Sequence, residues 1–156
     1  MVFYLLQREQ RIPRPVEECF AFFADARNLE EITPTWLSFR IVSPGQIDIR
    51  AGTHINYKLS WHGFSVQWLT EIQRWNPPIE FVDVQARGPY RLWHHTHSFE
   101  PVDGGTLMRD VVRYALPLGI LGRIAHAWVV KSDLEKIFDY RAVKVSNILG
   151  AGCVHE

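Results

Sequence analysis

Cysteine is scarce in this chain. Cys19 and Cys153 are the only cysteines among 156 residues, and two isolated thiols form neither a disulfide framework nor a zinc knuckle. Cys19 falls within an apolar helical pattern with no evident base, so we interpret it as a core residue rather than a nucleophile. The GxSxG motif of hydrolases and the HExxH motif of metalloproteases are also missing.

An excess of charge of one sign is absent as well, and so are long apolar runs. Seventeen Lys and Arg residues balance 17 Asp and Glu residues, whereas nucleic-acid-binding domains carry a basic face. No apolar run approaches the length of a transmembrane helix, and "MVFYLLQREQR" at the start lacks the features of a signal peptide. We therefore predict a cytoplasmic protein with no nucleic-acid partner and no transmembrane segment. The sequence leaves open whether the protein forms a homodimer.

Aromatic residues, by contrast, are abundant. They make up 13% of the chain, and six of them are tryptophans. The length suits a single domain with its own core. So many rings either fill that core or line a cavity, and composition does not separate the two.

The periodicity of apolar residues predicts an α+β domain over residues 1–150 with a loose tail over 151–156. Residues 2–12 have the pattern of a strand, and residues 15–31 that of two short helices. From Leu37 to Leu116 apolar and polar residues alternate, which indicates about six antiparallel strands. Residues 121–149 predict one long helix. Its apolar stripe comprises Ala127, Val130, Leu134, Ile137, Val145 and Ile148.

This order of elements and several motifs resemble the SRPBCC superfamily, which includes START-like, birch-pollen-allergen-like and polyketide cyclase/dehydrase-like proteins. The motifs are "FFADARNLEEITP" (22–34), "GTHINYKL" (52–59), the Trp, Pro, Phe and His positions of 75–99, "GGTLMRDVVRY" (104–114) and "IFDYR" (137–141). They are similar to those of a bacterial subgroup of small stand-alone proteins. The resemblance implies a helix-grip fold, in which a curved antiparallel sheet of about seven strands and a long C-terminal helix enclose a cavity.

The stretch "RLWHHTHSF" (91–99) predicts which polar groups face that cavity. Its alternation puts Trp93, His95, His97 and Phe99 on one face, which we take as inward because it is the more aromatic. On the neighbouring predicted strand, Asp110 shares a face with apolar residues. A buried carboxylate needs a partner, and one of the two histidines is a plausible one.

One charged residue interrupts the stripe of the long helix. Arg141 stands midway between Ile137 and Val145, where a leucine would be expected. Such an arginine either snorkels to the edge of the helix or meets an acid.

These residues allow two kinds of chemistry. His95, His97 and Asp110 are enough ligands for a metal ion, but a hydrogen-bonded cavity wall is the favoured interpretation, so we predict neither a metal nor another cofactor. The candidate catalytic residues for a cyclisation or dehydration are His97, as the general base, and Asp110, which would orient it.

Our prediction of function follows from the resemblance and these faces. We expect the cavity to bind a hydrophobic or amphipathic small molecule that is lipid-, isoprenoid- or polyketide-like, as a carrier or a sensor. Residues 117–122 are a candidate gate. The alternatives are a cyclase/dehydrase-like enzyme in the same cavity and a protein-interaction domain. The predicted ligand-binding residues are Tyr57, Trp61, Trp68, Trp93, His95, His97, Phe99, Asp110, Val112 and Arg141.

Overall fold

Seven antiparallel strands form a single sheet in the computed structural model, which describes residues 1–150. The predicted tail over 151–156 lies outside the described residues. The strands are β1 (Tyr4–Ile12), β2 (Arg40–Ile41), β3 (His54–Trp61), β4 (Phe64–Asn76), β5 (Glu80–Arg87), β6 (Leu92–Val102) and β7 (Gly105–Ala115). Their order across the sheet is β1-β7-β6-β5-β4-β3-β2, so all neighbours are consecutive in sequence except β1 and β7.

Two short helices, α1 (Val16–Ala24) and α2 (Ala26–Glu31), follow the first strand as predicted. Asp25 separates them, and its carboxylate accepts the backbone N–H of Arg27 at 3.0 Å, which caps α2. The buried face of α1 carries Cys19 and Phe20. Cys19 is therefore a core residue.

The stretch after α2 differs from the prediction that strand structure begins at Leu37. Residues Thr35–Leu37 form a 3₁₀ helix, and β2 has only two residues. The backbone of Ser38 is left-handed, with φ of 47°, which turns the chain out of the helix. The alternation of Leu37, Phe39 and Ile41 therefore reflects contacts with the cavity side rather than a continuous strand.

The predicted long helix contains a wide turn. It consists of α3 (Gly119–Ala125), a π turn (His126–Val130) and α4 (Lys131–Leu149). A π turn takes more residues than an α turn, so it shifts the phase of the helix by about one position. As a result His126 is buried and Ala127 is exposed, which corrects the predicted stripe at Ala127. His126 is held inward by Tyr114, whose hydroxyl lies 2.7 Å from its Nε2.

The concave face of the sheet and the helices enclose two main apolar clusters. In one, α1 packs on the sheet through Phe20, Phe81 and Phe99. In the other, α4 packs on the sheet through Leu134 and Phe138 against Val112. The helix-grip arrangement of a curved antiparallel sheet with a long C-terminal helix is thus confirmed. No helix within residues 1–150 has the length and apolarity needed to cross a membrane.

Candidate functional site

A cavity of about 410 Å³ lies between the sheet and the helices. This volume is in the range of small-molecule sites, roughly 300–1,000 Å³. The lining side chains come from α1, α2, strands β3 to β6 and the C-terminal helical segment, and most are apolar or aromatic. The aromatic residues, which make up 13% of the chain, therefore have both roles: some fill the core and others line the cavity.

Most of the predicted ligand-binding residues lie on the cavity wall. They are Tyr57, Trp61, Trp68, Trp93, His95, His97 and Arg141. Three do not reach the wall. Phe99 packs edge-on against Phe20 with ring centroids 5.4 Å apart, and Val112 is fully buried beneath α4. Asp110 lies behind the histidines, in contact with them but away from the cavity.

His95 and His97 of β6 join two carboxylates into one buried network. His95 Nε2 lies 2.7 Å from Asp110 Oδ1, and His97 Nε2 lies 2.5 Å from Asp83 Oδ2. His97 Nδ1 is a further 3.3 Å from Asp110 Oδ1. The two imidazole rings stack with their centroids 3.6 Å apart, and Phe81 stacks on the other face of His97 at 4.1 Å. The four polar side chains are therefore fixed in position by one another.

Arg141 completes the network. Its Nη2 lies 3.5 Å from Asp110 Oδ1 and 3.4 Å from His97 Nδ1. The guanidinium also lies near the rings of Phe23 and Phe138, at 5.2 and 5.7 Å from their centroids. Of the two roles left open by the sequence, Arg141 therefore meets an acid rather than snorkelling to the edge.

The pKa values of the two histidines shift in opposite directions. Burial lowers the pKa of His95 to about 4, with the neighbouring charge of His97 acting in the same direction, so His95 is neutral near pH 7. Burial also opposes the charge on His97, but its hydrogen bonds to Asp110 and Asp83 outweigh that effect and raise its pKa above the usual value. The two carboxylates therefore favour the protonated form of His97.

Both carboxylates stay ionised in spite of their burial. Burial raises the pKa of Asp110, but the charge of Arg141 and the bonds to the histidines bring it well below its usual value. The pKa of Asp83 is likewise lowered, because its hydrogen bond to His97 and the nearby positive charges of His97 and Arg141 overcome burial. When His97 is protonated, two anions face two cations, Arg141 and His97, and the charges of the network balance.

Asp83 is the group that sequence reasoning missed. It lies on β5 opposite His95 in the strand register and reaches His97 diagonally. The segment "FVDVQ" (81–85) has apolar residues on both faces, so alternation alone did not indicate which way the carboxylate points. The one signal in the sequence for an inward Asp83 was the histidine pair on the neighbouring strand.

The stacking of the histidines bears on the metal interpretation. The three groups whose ligand atoms lie within 4.8 Å of one another are Asp83, His95 and His97, rather than the set with Asp110. The two rings are tilted by only 28° with their centroids 3.6 Å apart, so their nitrogen lone pairs lie in two separate, nearly parallel planes. A metal site needs lone pairs that converge on one point. The arrangement therefore suits a hydrogen-bonded wall better than a metal centre.

A second polar group on the wall ties the β3–β4 hairpin to α4. Asp133 accepts the indole N–H of Trp61 at 2.8 Å and lies 2.7 Å from His62 Nε2. His62 and Gly63 form the hairpin turn with φ of 47° and 83°, the left-handed pair that a tight two-residue hairpin requires. One carboxylate thus connects the hairpin tip to the helix across the cavity.

The predicted gate lies where the cavity meets the surface. Pro117, Leu118, Leu121 and Gly122 line the cavity, and both leucines are exposed on the outside of the protein. A Cβ atom at Gly122 would stand 2.2 Å from the carbonyl oxygen of Pro117, so only glycine allows this close turn. A gating role for the segment stays a prediction.

Comparison with solved structures shows the same fold in proteins of low sequence identity. TTHA0849 from Thermus thermophilus is 21% identical with a TM-score of 0.70, over 93% of this chain and 99% of that chain. CV1439 from Chromobacterium violaceum is 11% identical with a TM-score of 0.73, over 94% and 97%. Ara h 8.0201 is 17% identical with a TM-score of 0.62, over 94% and 99%.

At the level of sequence, no curated protein matches this chain, but one family model does. The family model described as "Polyketide cyclase / dehydrase and lipid transport" matches residues 12–136, which include the last residue of β1, all of β2 to β7 and the start of α4. On that match, the chain belongs to the polyketide cyclase/dehydrase and lipid transport family.

Proposed function

We propose that this protein binds a hydrophobic or amphipathic small molecule in its cavity, as a carrier or a sensor of a lipid-, isoprenoid- or polyketide-like compound. The observation that carries the proposal is a cavity of about 410 Å³ with mostly apolar walls and one polar wall. A few convergent polar groups on an otherwise apolar surface are typical of a ligand site.

The apolar walls supply the affinity. Removing about 300 Å² of apolar ligand surface from water contributes roughly 7 kcal/mol at about 25 cal/mol per Å². The loss of translational and rotational freedom subtracts from this gain. A dissociation constant of 1 μM corresponds to about 8 kcal/mol, so burial of this area alone gives weaker binding, and hydrogen bonds to the polar wall have to add to it.

The polar wall orients the ligand. Asp83, His95, His97 and Arg141 line the cavity and belong to a network whose charges balance when His97 is protonated. An ionised ligand group would add an uncompensated charge to a water-poor space, which is costly. A neutral hydroxyl or carbonyl group, which hydrogen-bonds to either sign of charge, is the polar end that this wall favours.

Filling the cavity with a larger side chain tests the proposal. Val66 lies on β4 with its side chain on the cavity wall, so Val66→Trp should occupy ligand space and weaken the binding of the neutral dye N-phenylnaphthylamine by about tenfold or more. The measurement is dye fluorescence, with native mass spectrometry of the purified protein to identify any ligand that it carries.

Val143→Trp is the matched control, because Val143 is an exposed residue of α4 and adds the same side chain outside the cavity. Its dye affinity should equal that of the wild type. Unchanged binding by a folded Val66→Trp protein, or no dye binding by the wild type, would reject an accessible apolar cavity.

A cyclase- or dehydrase-like reaction is the second candidate, and the contact of His97 with Asp83 at the wall is the observation that favours it. The sequence suggested His97 as the base, but its raised pKa favours the protonated form, which acts as an acid rather than a base. The base would have to be Asp83, whose lowered pKa makes its carboxylate a weak one.

We therefore expect no enolisation of a bound long-chain methyl ketone beyond the rate in buffer. The measurement is deuterium incorporation next to the carbonyl, followed by NMR in heavy water. An acceleration that Asp83→Asn abolishes, while the ketone still binds, would favour the enzyme over the carrier.

A further inference from the structure

An unusually apolar surface surrounds the entrance of the cavity. Leu118, Ile120, Leu121, Ile124 and Trp128, which we name the mouth face, are exposed by 75%, 72%, 67%, 52% and 82%. They recur at spacings of three and four residues along α3 and the π turn, so they form neighbouring positions on one side of the helical segment. A contiguous apolar patch of this kind marks a contact surface.

The mouth face and the cavity share residues. Leu118 and Leu121 contribute to both, and the side chains between them and the sheet, Leu116 and Pro117, line the cavity. A partner that covers the mouth face therefore covers the entrance as well.

The charges around this surface have one sign. Arg123 is the only charged residue between 116 and 130. Arg91 and Arg123 line one shallow groove together with Met1, Val2, Tyr4, Leu116, Leu118, Gly119 and Ile120, and no carboxylate from residues 1–150 lines it. The apolar surface thus adjoins two guanidinium groups that meet no acid in that groove.

We propose that the mouth face docks on an anionic phospholipid bilayer, so that the cavity opens onto the membrane surface. Trp128 and the aliphatic side chains would enter the interfacial region of the bilayer, and Arg91 and Arg123 would lie against phosphate groups. Apolar residues with an exposed tryptophan and flanking basic groups are what an interfacial surface requires. That the ligand passes between bilayer and cavity rests additionally on the proposed function.

A second copy of the chain fits this surface less well. Two copies that met face to face would each bring Arg91 and Arg123 to the interface without a carboxylate in the groove to compensate them. Anionic lipid supplies that compensation.

Vesicle sedimentation tests the docking. The wild type should bind vesicles of phosphatidylcholine and phosphatidylglycerol more tightly than vesicles of phosphatidylcholine alone, with the difference shrinking as salt is added. Ile124→Ser combined with Trp128→Ser should weaken binding to the anionic vesicles by about tenfold or more, because both side chains lose their burial in lipid. Arg91→Gln combined with Arg123→Gln should remove the preference for anionic lipid.

Val143→Ser is the matched control, since Val143 is as exposed as the mouth-face residues but lies far along α4. Equal binding of wild type and the Ile124/Trp128 variant, or no binding by the wild type, would overturn the proposal. The proposal would also be overturned if the wild type were a dimer that Trp128→Ser dissociates.

Cavity binding is read separately, from N-phenylnaphthylamine fluorescence without vesicles. The Ile124/Trp128 variant should keep its dye affinity. Vesicle binding without dye binding would support membrane docking and reject the proposed function. Dye binding without vesicle binding would support the proposed function and reject membrane docking.

Discussion

Replacing Asp110 by asparagine should lower the free energy of unfolding by about 3–5 kcal/mol, the cost of breaking a buried ion network by removing one partner. Asp110 is the carboxylate that contacts His95, His97 and Arg141 together. Without its charge, one positive charge remains buried without an opposite one. The measurement is denaturant unfolding at pH 7.

Asp139→Asn is the control. Asp139 pairs with Arg8 at 2.8 Å on the surface, where a salt bridge contributes only about 0–1 kcal/mol. A loss below about 1 kcal/mol in both variants would mean that the network does not stabilise the fold.

The same substitution changes the pH dependence. The pKa of His97 is raised in the folded protein, so its protonation contributes stability that is fully present below its unfolded pKa of about 6.5 and is lost as pH rises through the folded value. Asp110→Asn removes one of the two bonds that raise this pKa. The His97 titration, followed by NMR, should therefore move to lower pH in the variant.

Dodecanol should bind at least about 100-fold more tightly than dodecanoate at pH 7. With His97 protonated, the charges of the polar wall balance, so a carboxylate of equal chain length would be desolvated without gaining a free counter-ion, at a cost of several kcal/mol. Displacement of N-phenylnaphthylamine by the two compounds measures the ratio.

Arg141→Gln tests the cause of this discrimination. The substitution leaves the network with an excess negative charge, so dodecylamine should gain affinity relative to dodecanol. Arg8→Gln changes the net charge of the protein by the same amount, but at the surface ion pair with Asp139, and should leave all the ratios unchanged. Tighter binding of dodecanoate than of dodecanol to the wild type would contradict a neutral polar end.

The sequence was sufficient for the architecture and for the orientation of β6. Strict alternation along a strand with one apolar face fixes which side chains point inward, and His95 and His97 are buried as that rule predicts. Alternation does not measure depth, however. Phe99 and Val112 share the inward face but are covered by α1 and α4, and only the packing of the helices separates core from cavity wall.

The π turn accounts for the part of the helix that sequence periodicity misplaced. A constant rotation per residue puts Ala127 on the stripe with Leu134, whereas the wide turn brings His126 into line instead. Trp128 consequently points outward, and the mouth face appears. Asp133, one turn into the following helix, is likewise understood only once its contact with the distant Trp61 is seen.

The order of the strands also has a consequence for how the chain reaches its native state. Strands β3 to β7 can each pair with the strand made just before, but β1 pairs only with β7, where Tyr4 faces Tyr114. During synthesis at about 5–20 residues per second, the first strand would wait roughly 5–20 s for its partner. The alternating side chains of β1, among them Leu6 and Ile12, would stay without their native cover for that time. We therefore expect β1, the first strand to be synthesised, to be the last strand to join the sheet.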